Sequence, residues 1–210
     1  MKQIFFGTGN ISKLKRIRTV ISDLPLEILG PDDLNIKMNV VEDGKNVREN
    51  ALKKAKAYYA KSNIPAFAID SGLYLDKFPE EKQPGIFVRR INGKRATDKE
   101  MLQYYKKELE KVGGRSKGKW ISAFTFVLGE TNSKTYELVE NRIFTSKMSS
   151  EVEKGLPLSS LAIDPDLNKY VSEITEEERK KLNKKTDKKI YSMFVEVLNE
   201  LKKNEEIKSF

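Results

Sequence analysis

The chain has 210 residues, of which 38% are hydrophobic and 34% are charged, and it contains neither cysteine nor histidine. These absences exclude disulfides, Ser-His-Asp and Cys-His catalysis, and zinc sites built on imidazole or thiolate, so any metal must bind to oxygen, which favours magnesium or manganese. The net charge of +9 predicts attraction to polyanions such as nucleotides, with a lysine-rich, solvated surface as the equally weighted alternative.

The N-terminal residues predict a strand, a tight turn and a helix. Gln3–Gly7 is typical of a short buried strand, and apolar residues from Ile11 to Ile21 recur at helical spacing. The turn between them is Gly7-Thr8-Gly9-Asn10, and Lys13 lies one turn into the helix. Glycines let a ligand approach the backbone, and a helix N-terminus attracts anions, so this turn is a candidate phosphate site. The alternative is that the glycines only permit the turn.

A second strand is predicted at Leu26–Leu29, and a second helix from Val47 to about Asn63. Glu42 precedes this helix, and we expect it to follow a short strand. Asn50 and Lys54 are four residues apart, so they share one face of the helix. The alternative for these polar residues is an ordinary amphipathic helix with a charged surface.

An apolar run ends at Asp70, which is followed by Ser71 and Gly72. We expect a strand, a turn and a second strand over Phe67–Leu75. An unpaired buried charge is costly, and ligands gather at the carboxyl ends of strands in α/β sheets. Asp70 is therefore a candidate metal ligand or base that shares a cation with Glu42, and a simple turn cap is the alternative.

The middle of the chain predicts a loop, a helix and a hairpin. Pro84-Gly85 is followed by Arg90, whose guanidinium group suits phosphate oxygens unless it contacts only solvent. A capping box predicts a helix over Thr97–Lys111, and β-rich segments at Trp120–Leu128 and Thr135–Thr145 predict a hairpin. We expect the part from about 75 to 150 to form a smaller lobe within one domain of residues 1–210.

A second capping box, at Thr175, opens the C-terminal part. Apolar residues at helical spacing then predict a closing helix with a core stripe of Ile190, Phe194, Val197 and Leu201. Residues 179–189 between them are strongly basic, which indicates either nucleotide contacts or a solvated helix junction.

In this order and spacing, the motifs resemble the inosine triphosphate pyrophosphatase-like enzymes, which clear deaminated purine nucleotides. The resemblance is strongest over residues 3–90. The matching residues are Thr8-Gly9-Asn10 with Lys13, Glu42 with Gly44, Glu49-Asn50-Ala51 with Lys54-Ala55, Asp70-Ser71-Gly72-Leu73, and Pro84-Gly85 with Arg90.

The resemblance implies an α/β fold with an elongated mixed sheet, flanking helices and two lobes around a central cleft, usually in a homodimer. It implies Mg²⁺-dependent cleavage of a nucleoside triphosphate into monophosphate and pyrophosphate. Glu42 and Asp70 would then be catalytic and hold magnesium (or manganese), and Asp70 would help to activate the attacking water. The substrate-binding residues that it implies are Thr8, Asn10, Lys13, Lys54, Ser71, Arg90 and Asp164.

The match breaks at one acid of the strand end and, more extensively, at the residues that hold the base. The family carries two acids before Ser-Gly-Leu, whereas Ile69 stands at the first of these positions. The family's Phe-Gly-Tyr-Asp-Pro segment aligns with Leu161-Ala162-Ile163-Asp164-Pro165, and its Ser-His-Arg segment is absent. Loss of an aromatic platform removes stacking and hydrogen bonds. We therefore expect an altered or relaxed base preference.

Two other functions compete with the enzyme. A nucleotide-binding sensor or scaffold with impaired catalysis would keep the lysines and the metal site, and Ile69 favours it modestly. A nucleic-acid-binding protein would use the positive charge, but the chain has no recognisable reader motif, so we expect no nucleic-acid partner. No apolar run approaches the ~20 residues of a membrane helix, and no signal peptide is recognisable, so we expect no membrane partner and a cytoplasmic location.

Overall fold

The computed structural model describes residues 1–208, with side chains up to residue 203. Its four α-helices are α1 (Ile11–Val20), α2 (Val47–Ser62), α3 (Asp98–Lys111) and α4 (Glu176–Lys208). Its strands are β1 (Lys2–Phe6), β2 (Leu26–Leu29), β3 (Ala66–Leu75), β4 (Arg90–Ile91), β5 (Lys94–Arg95), β6 (Arg115–Val127), β7 (Ser133–Thr145), β8 (Ala162–Asp164) and β9 (Lys169–Tyr170). Short 3₁₀ turns lie at Glu80–Lys82, Pro157–Ser160 and Val171–Glu173.

Seven of these strands form a mixed sheet in the order β2-β1-β3-β6-β7-β8-β9. Strand β1 is parallel to both β2 and β3, and Phe5 pairs with Leu29 on one side and with Ala66 on the other. Strands β7, β8 and β9 pair antiparallel. The mixed α/β fold predicted from the sequence is confirmed, whereas the two lobes with a central cleft stay a prediction.

The chain divides into two compact units. The first contains Met1–Asp70, Ser122–Leu138 and the chain from Leu182 onwards. Its core is built around aromatic rings. The ring of Phe67 is stacked with those of Phe6 and Phe126, with centroid distances of 4.2 and 5.1 Å. The ring of Phe194 lies edge-on to both Phe67 and Phe126, with centroid distances of 5.2 Å. The predicted stripe of α4 is confirmed, because its four apolar residues are all buried in this core.

The second unit contains Ser71–Ile121 and Val139–Lys181. Helix α3 begins at the predicted capping box, in which the Thr97 hydroxyl accepts from the Glu100 N–H and the Glu100 carboxylate accepts from the Thr97 N–H. Its buried face packs into a core with β3, β7 and β8 residues, and the Tyr105 hydroxyl donates to the Val88 carbonyl at 3.0 Å. The helix ends before Gly113, which has a positive φ of 87°.

The hairpin prediction is confirmed. Strands β6 and β7 are neighbours in the sheet and are joined by residues 128–132, a connection too short for a parallel crossover. A second, much smaller hairpin (β4–β5) was missed by the sequence patterns. Asn92 and Gly93 turn it with φ values of 50° and 77°, the backbone that an Asn-Gly pair favours.

Two predicted local elements are wrong. Strand β3 continues through Asp70, Ser71 and Gly72 without a turn, because Leu73 and Gly85 exchange two backbone hydrogen bonds of 2.9 Å that extend the pairing. The strand expected directly before Glu42 is absent, since residues 36–44 are irregular. Bonds from the Gly44 and Lys45 N–H groups to side chains at the start of α2 hold the backbone just beyond Glu42. None of the helices in residues 1–208 is long and apolar enough to cross a membrane.

Candidate active site

The turn between β1 and α1 is fixed by its own polar groups. The Thr8 hydroxyl accepts from the Asn10 N–H at 3.1 Å, and the Asn10 side chain caps α1 by accepting from the Lys13 N–H at 3.1 Å. A Cβ atom at Gly9 would have open space around it, whereas one at Gly7 would lie 2.1 Å from a ring carbon of Tyr58. Gly7 is therefore required by packing inside the protein, and Gly9 is not.

The loop that carries Glu42 is tied to the start of α2. The Gly44 N–H donates to the buried Asn50 side chain at 2.8 Å, and the Lys45 N–H donates to the Glu49 carboxylate at 2.9 Å. A Cβ atom at Gly44 would lie 2.6 Å from the Asn50 side-chain oxygen, so only glycine fits this approach. These bonds give the irregular loop a defined backbone position just after Glu42.

Helix α2 brings a lysine to the two predicted catalytic acids. The Lys54 Nζ lies 2.7 Å from an Asp70 Oδ and 3.4 Å from a Glu42 Oε. The side chains of Lys54 and Asp70 are only 13% and 11% exposed, whereas that of Glu42 is 43% exposed. The second Asp70 oxygen accepts a long bond of 3.4 Å from the Asn50 amide. Asp70 thus has the partners that its burial requires, and the alternative role as a simple turn cap is wrong.

Lys13 belongs to the same electrostatic environment. Although the residue is exposed, surrounding protein atoms partly desolvate its ammonium group, and this desolvation lowers the pKa of Lys13 below 10.5. Repulsion from Lys54 lowers the pKa further, while Asp70 and Glu42 act in the opposite direction. Two cationic side chains from different helices therefore interact electrostatically with the same two acids, and an added anion would offset the repulsion between the two lysines.

The remaining predicted site residues lie in the second unit. Ser71 follows Asp70 in β3. Arg90 is exposed, and its guanidinium carbon lies 5.4 Å from the centre of the Phe87 ring. Asp164 is buried: one of its oxygens accepts from two backbone N–H groups of the following turn, and the other lies 3.4 Å from a nitrogen of Arg142. Substrate contacts of Ser71, Arg90 and Asp164 stay predictions.

Sequence reasoning did not assign Asn50, Gly44 or Tyr58 to the site, although Asn50 and Gly44 stand in the motifs that carry the resemblance. The spacing of Asn50 and Lys54 placed them on one face of α2, and both now contact Asp70. The contact of Tyr58 with Gly7 joins distant segments, so no local pattern indicated it. Burial raises the pKa of the Tyr58 hydroxyl, and the negative charge of Glu42 adds to this effect.

The donor chemistry of the site is compatible with magnesium. Among the side chains that the structure describes, which end at residue 203, no group of three or more acids is placed to hold a metal ion. Two carboxylates are nevertheless sufficient for Mg²⁺, which usually keeps several waters and takes further oxygen ligands from substrate phosphates. Glu42 and Asp70 fit this pattern, because both already face one cationic atom, the Lys54 Nζ.

The structure resembles solved members of one fold family. It aligns to a HAM1 protein from Coxiella burnetii with a TM-score of 0.79 and 22% identity, over 95% of this chain and all of that one. It aligns to a protein from Mycobacterium abscessus, described as a nucleoside-triphosphatase and dITP/XTP pyrophosphatase, with a TM-score of 0.71 and 20% identity, over 87% of this chain and 94% of that one. These likenesses show the fold.

Sequence relatives extend the comparison. A dITP/XTP pyrophosphatase of Leptospira interrogans is 29% identical over 180 residues, which cover 84% of this chain and 87% of that protein. A dITP/XTP pyrophosphatase of Vibrio parahaemolyticus is 27% identical over 201 residues, which cover 94% of this chain and 97% of that protein. The family model described as the Ham1 family matches residues 4–188. The resemblance predicted from the motifs is thus confirmed, and the chain belongs to the Ham1 family.

Proposed function

We propose that the protein is a nucleoside triphosphate pyrophosphatase that hydrolyses noncanonical purine nucleotides of the inosine and xanthosine type. Its products would be a nucleoside monophosphate and pyrophosphate. Membership of the Ham1 family and the names of the relatives, which are dITP/XTP pyrophosphatases, support this activity. The observation that carries the proposal is the placement of Lys13 and Lys54 in the field of Asp70 and Glu42.

These residues match the charges of the reaction. A water oxygen attacks the α-phosphorus, the bond from that phosphorus to the oxygen shared with the β-phosphorus breaks, and pyrophosphate leaves. Asp70 accepts the proton of the attacking water, while Lys13 and Lys54 offset the charge that accumulates on the leaving group. The Thr8–Asn10 turn and the start of α1 form the site for a terminal phosphate.

We propose that Glu42 and Asp70 hold Mg²⁺, or Mn²⁺ in its place. A bound divalent ion would supply charge neutralisation and a more acidic water, so a carboxylate could serve as the base. Lys54 would then be available for phosphate, because a lysine is a flexible point charge that can change partners.

The base preference is proposed to be altered or relaxed. Asp164 stands at the family's base-binding segment without the two aromatic residues that flank it there. In this structure its carboxylate closes a turn and pairs with Arg142. The basic residues 179–189 lie in the first part of α4 and offer alternative nucleotide contacts. The homodimer and the cytoplasmic location implied by the resemblance stay predictions.

The activity is tested by pyrophosphate release from a panel of inosine, deoxyinosine, xanthosine and common nucleoside triphosphates, each with and without Mg²⁺. Asp70→Asn should lower kcat by at least about a hundredfold, because it removes the base and one of the two acids. Asp43→Asn is the matched control: Asp43 lies next to Glu42, but it is exposed and pairs with Lys53, so this variant should keep its activity.

Each result of this assay has a defined meaning. Pyrophosphate release that requires Mg²⁺ and Asp70 supports the enzyme. Tight triphosphate binding without turnover would support the sensor instead. Turnover of inosine triphosphate far above every other nucleotide would refute the altered base preference while leaving the pyrophosphatase activity intact.

A further inference from the structure

The position of Lys54 between Glu42 and Asp70 carries a consequence for cation binding. Its Nζ contacts both acids, and the Lys54–Asp70 pair is almost enclosed by protein. The preceding residue provides a contrast. Lys53 pairs with Asp43 at 2.6 Å, but these side chains are 45% and 67% exposed, so water screens their charges. Two consecutive lysines thus form ion pairs in very different surroundings.

A nearly buried carboxylate such as Asp70 needs a cation close by, because an uncompensated charge is costly away from water. In the protein without ligands, Lys54 meets this need. Its single positive charge neutralises one of the two acids, and Lys13 offsets part of the charge of the other. A divalent ion at the same two acids would be repelled by the ammonium group, and repulsion at such short range is strong.

We propose that Lys54 is an internal counter-ion that occupies the place of the divalent cation between Glu42 and Asp70 and transfers to substrate phosphate when that cation binds. This inference rests on the proposed function, because it takes the two acids as the metal ligands. The ammonium group competes with the cation in the nucleotide-free protein, so that protein binds divalent ions weakly. A phosphate that accepts Lys54 removes the competitor, and cation and nucleotide therefore favour each other's binding.

The competition is measurable without catalysis. Mn²⁺ alone is titrated into the nucleotide-free full chain, and its affinity is obtained by calorimetry and by the electron paramagnetic resonance signal of the free ion. Lys54→Met should bind Mn²⁺ about tenfold more tightly than the wild type, or more, because the like charge is gone. Lys53→Met is the matched control, since it removes the same charge from the neighbouring exposed pair, and its Mn²⁺ affinity should equal that of the wild type.

Folding of the variants is checked separately. Lys54→Met leaves Asp70 without its main partner, so Lys54→Gln, which keeps a hydrogen-bond donor, serves as the second variant. Mn²⁺ should raise the thermal midpoint of both Lys54 variants more than that of the wild type. In the Asp70→Asn background, adding Lys54→Met should tighten Mn²⁺ binding much less than it does in the wild type, which would assign the gain to the Lys54–Asp70 pair.

Several results would overturn the inference. First, Lys54→Met could bind Mn²⁺ no more tightly than the wild type. Second, Lys53→Met could tighten Mn²⁺ binding as much as Lys54→Met does. Third, none of the variants could bind Mn²⁺ at all. The pyrophosphate assay on the wild type decides the proposed function independently. If the wild type releases pyrophosphate but Lys54→Met binds Mn²⁺ no more tightly than the wild type, only the counter-ion role is rejected.

Discussion

Replacement of Gly7 by alanine should destabilise the protein through one contact. The new Cβ would lie 2.1 Å from a ring carbon of Tyr58, and ordinary contact begins at 3.4 Å, so the ring must move by about 1.3 Å. Tyr58 is buried and meets Phe5 edge-on with the ring centres 5.1 Å apart, so it cannot move without losing that contact. Overpacking costs about 1–3 kcal/mol and the aromatic contact about 0.5–1.5 kcal/mol, partly offset by the lower unfolded-state entropy of alanine. We expect a net loss of about 2–3 kcal/mol in the free energy of unfolding.

Urea unfolding followed by circular dichroism measures this loss, and the thermal midpoint should fall by about 4–12 °C for a chain of this size. Gly9→Ala is the matched control, because the space around an added Cβ at Gly9 is open. It should unfold at the same urea concentration as the wild type but bind inorganic triphosphate more weakly, since the methyl group stands where a phosphate would approach the backbone. A loss below about 1 kcal/mol in Gly7→Ala would refute the steric argument.

Two further predictions concern Asn50 and Lys13. Asn50→Ala leaves the buried Gly44 N–H without its acceptor and removes a hydrogen-bond donor to Asp70. Urea unfolding should show a loss of about 1–3 kcal/mol in the free energy of unfolding, and kcat should fall as well. Unchanged stability would contradict this assignment. The lowered pKa of Lys13 means that its ammonium group loses its proton at a lower pH than a solvated lysine. Calorimetry should therefore show the affinity for inorganic triphosphate falling with a midpoint below pH 10.5, and Lys54→Met should move this midpoint to higher pH by removing a repelling charge. A decline at the same pH in both proteins would contradict the proposed interaction.

Local signals predicted the parts of the fold that depend on neighbours in the sequence. The capping box at Thr97 needs only Glu100, three residues away, and it formed as expected. The cost of a bare buried acid predicted that Asp70 must have a partner, although not which oxygen each partner would contact. The prediction of a turn at Asp70-Ser71-Gly72 was wrong, because the backbone hydrogen bonds between Leu73 and Gly85 keep the chain extended.

The details of the candidate site depend on contacts between segments, and for that reason they could not be predicted. The shared face of Asn50 and Lys54 followed from helical spacing, and both residues do reach Asp70. The second bond of the Asn50 side chain, to the Gly44 N–H, depends on how an irregular loop folds against α2. The close fit of Gly7 against Tyr58 likewise appears only when β1 and α2 are packed together.

The aromatic cluster in the first unit has a consequence for biosynthesis. The stacked rings come from the first 126 residues of the chain: Phe6, Phe67 and Phe126. The ring that packs edge-on against Phe67 and Phe126 belongs to Phe194, in α4. A ribosome therefore exposes a stack of apolar rings until α4 has emerged. Long-range closure of this kind slows folding and leaves the nascent chain prone to aggregation. A chain that ends before α4 should therefore aggregate more readily than the full chain, because the rings of Phe67 and Phe126 lose the cover of Phe194.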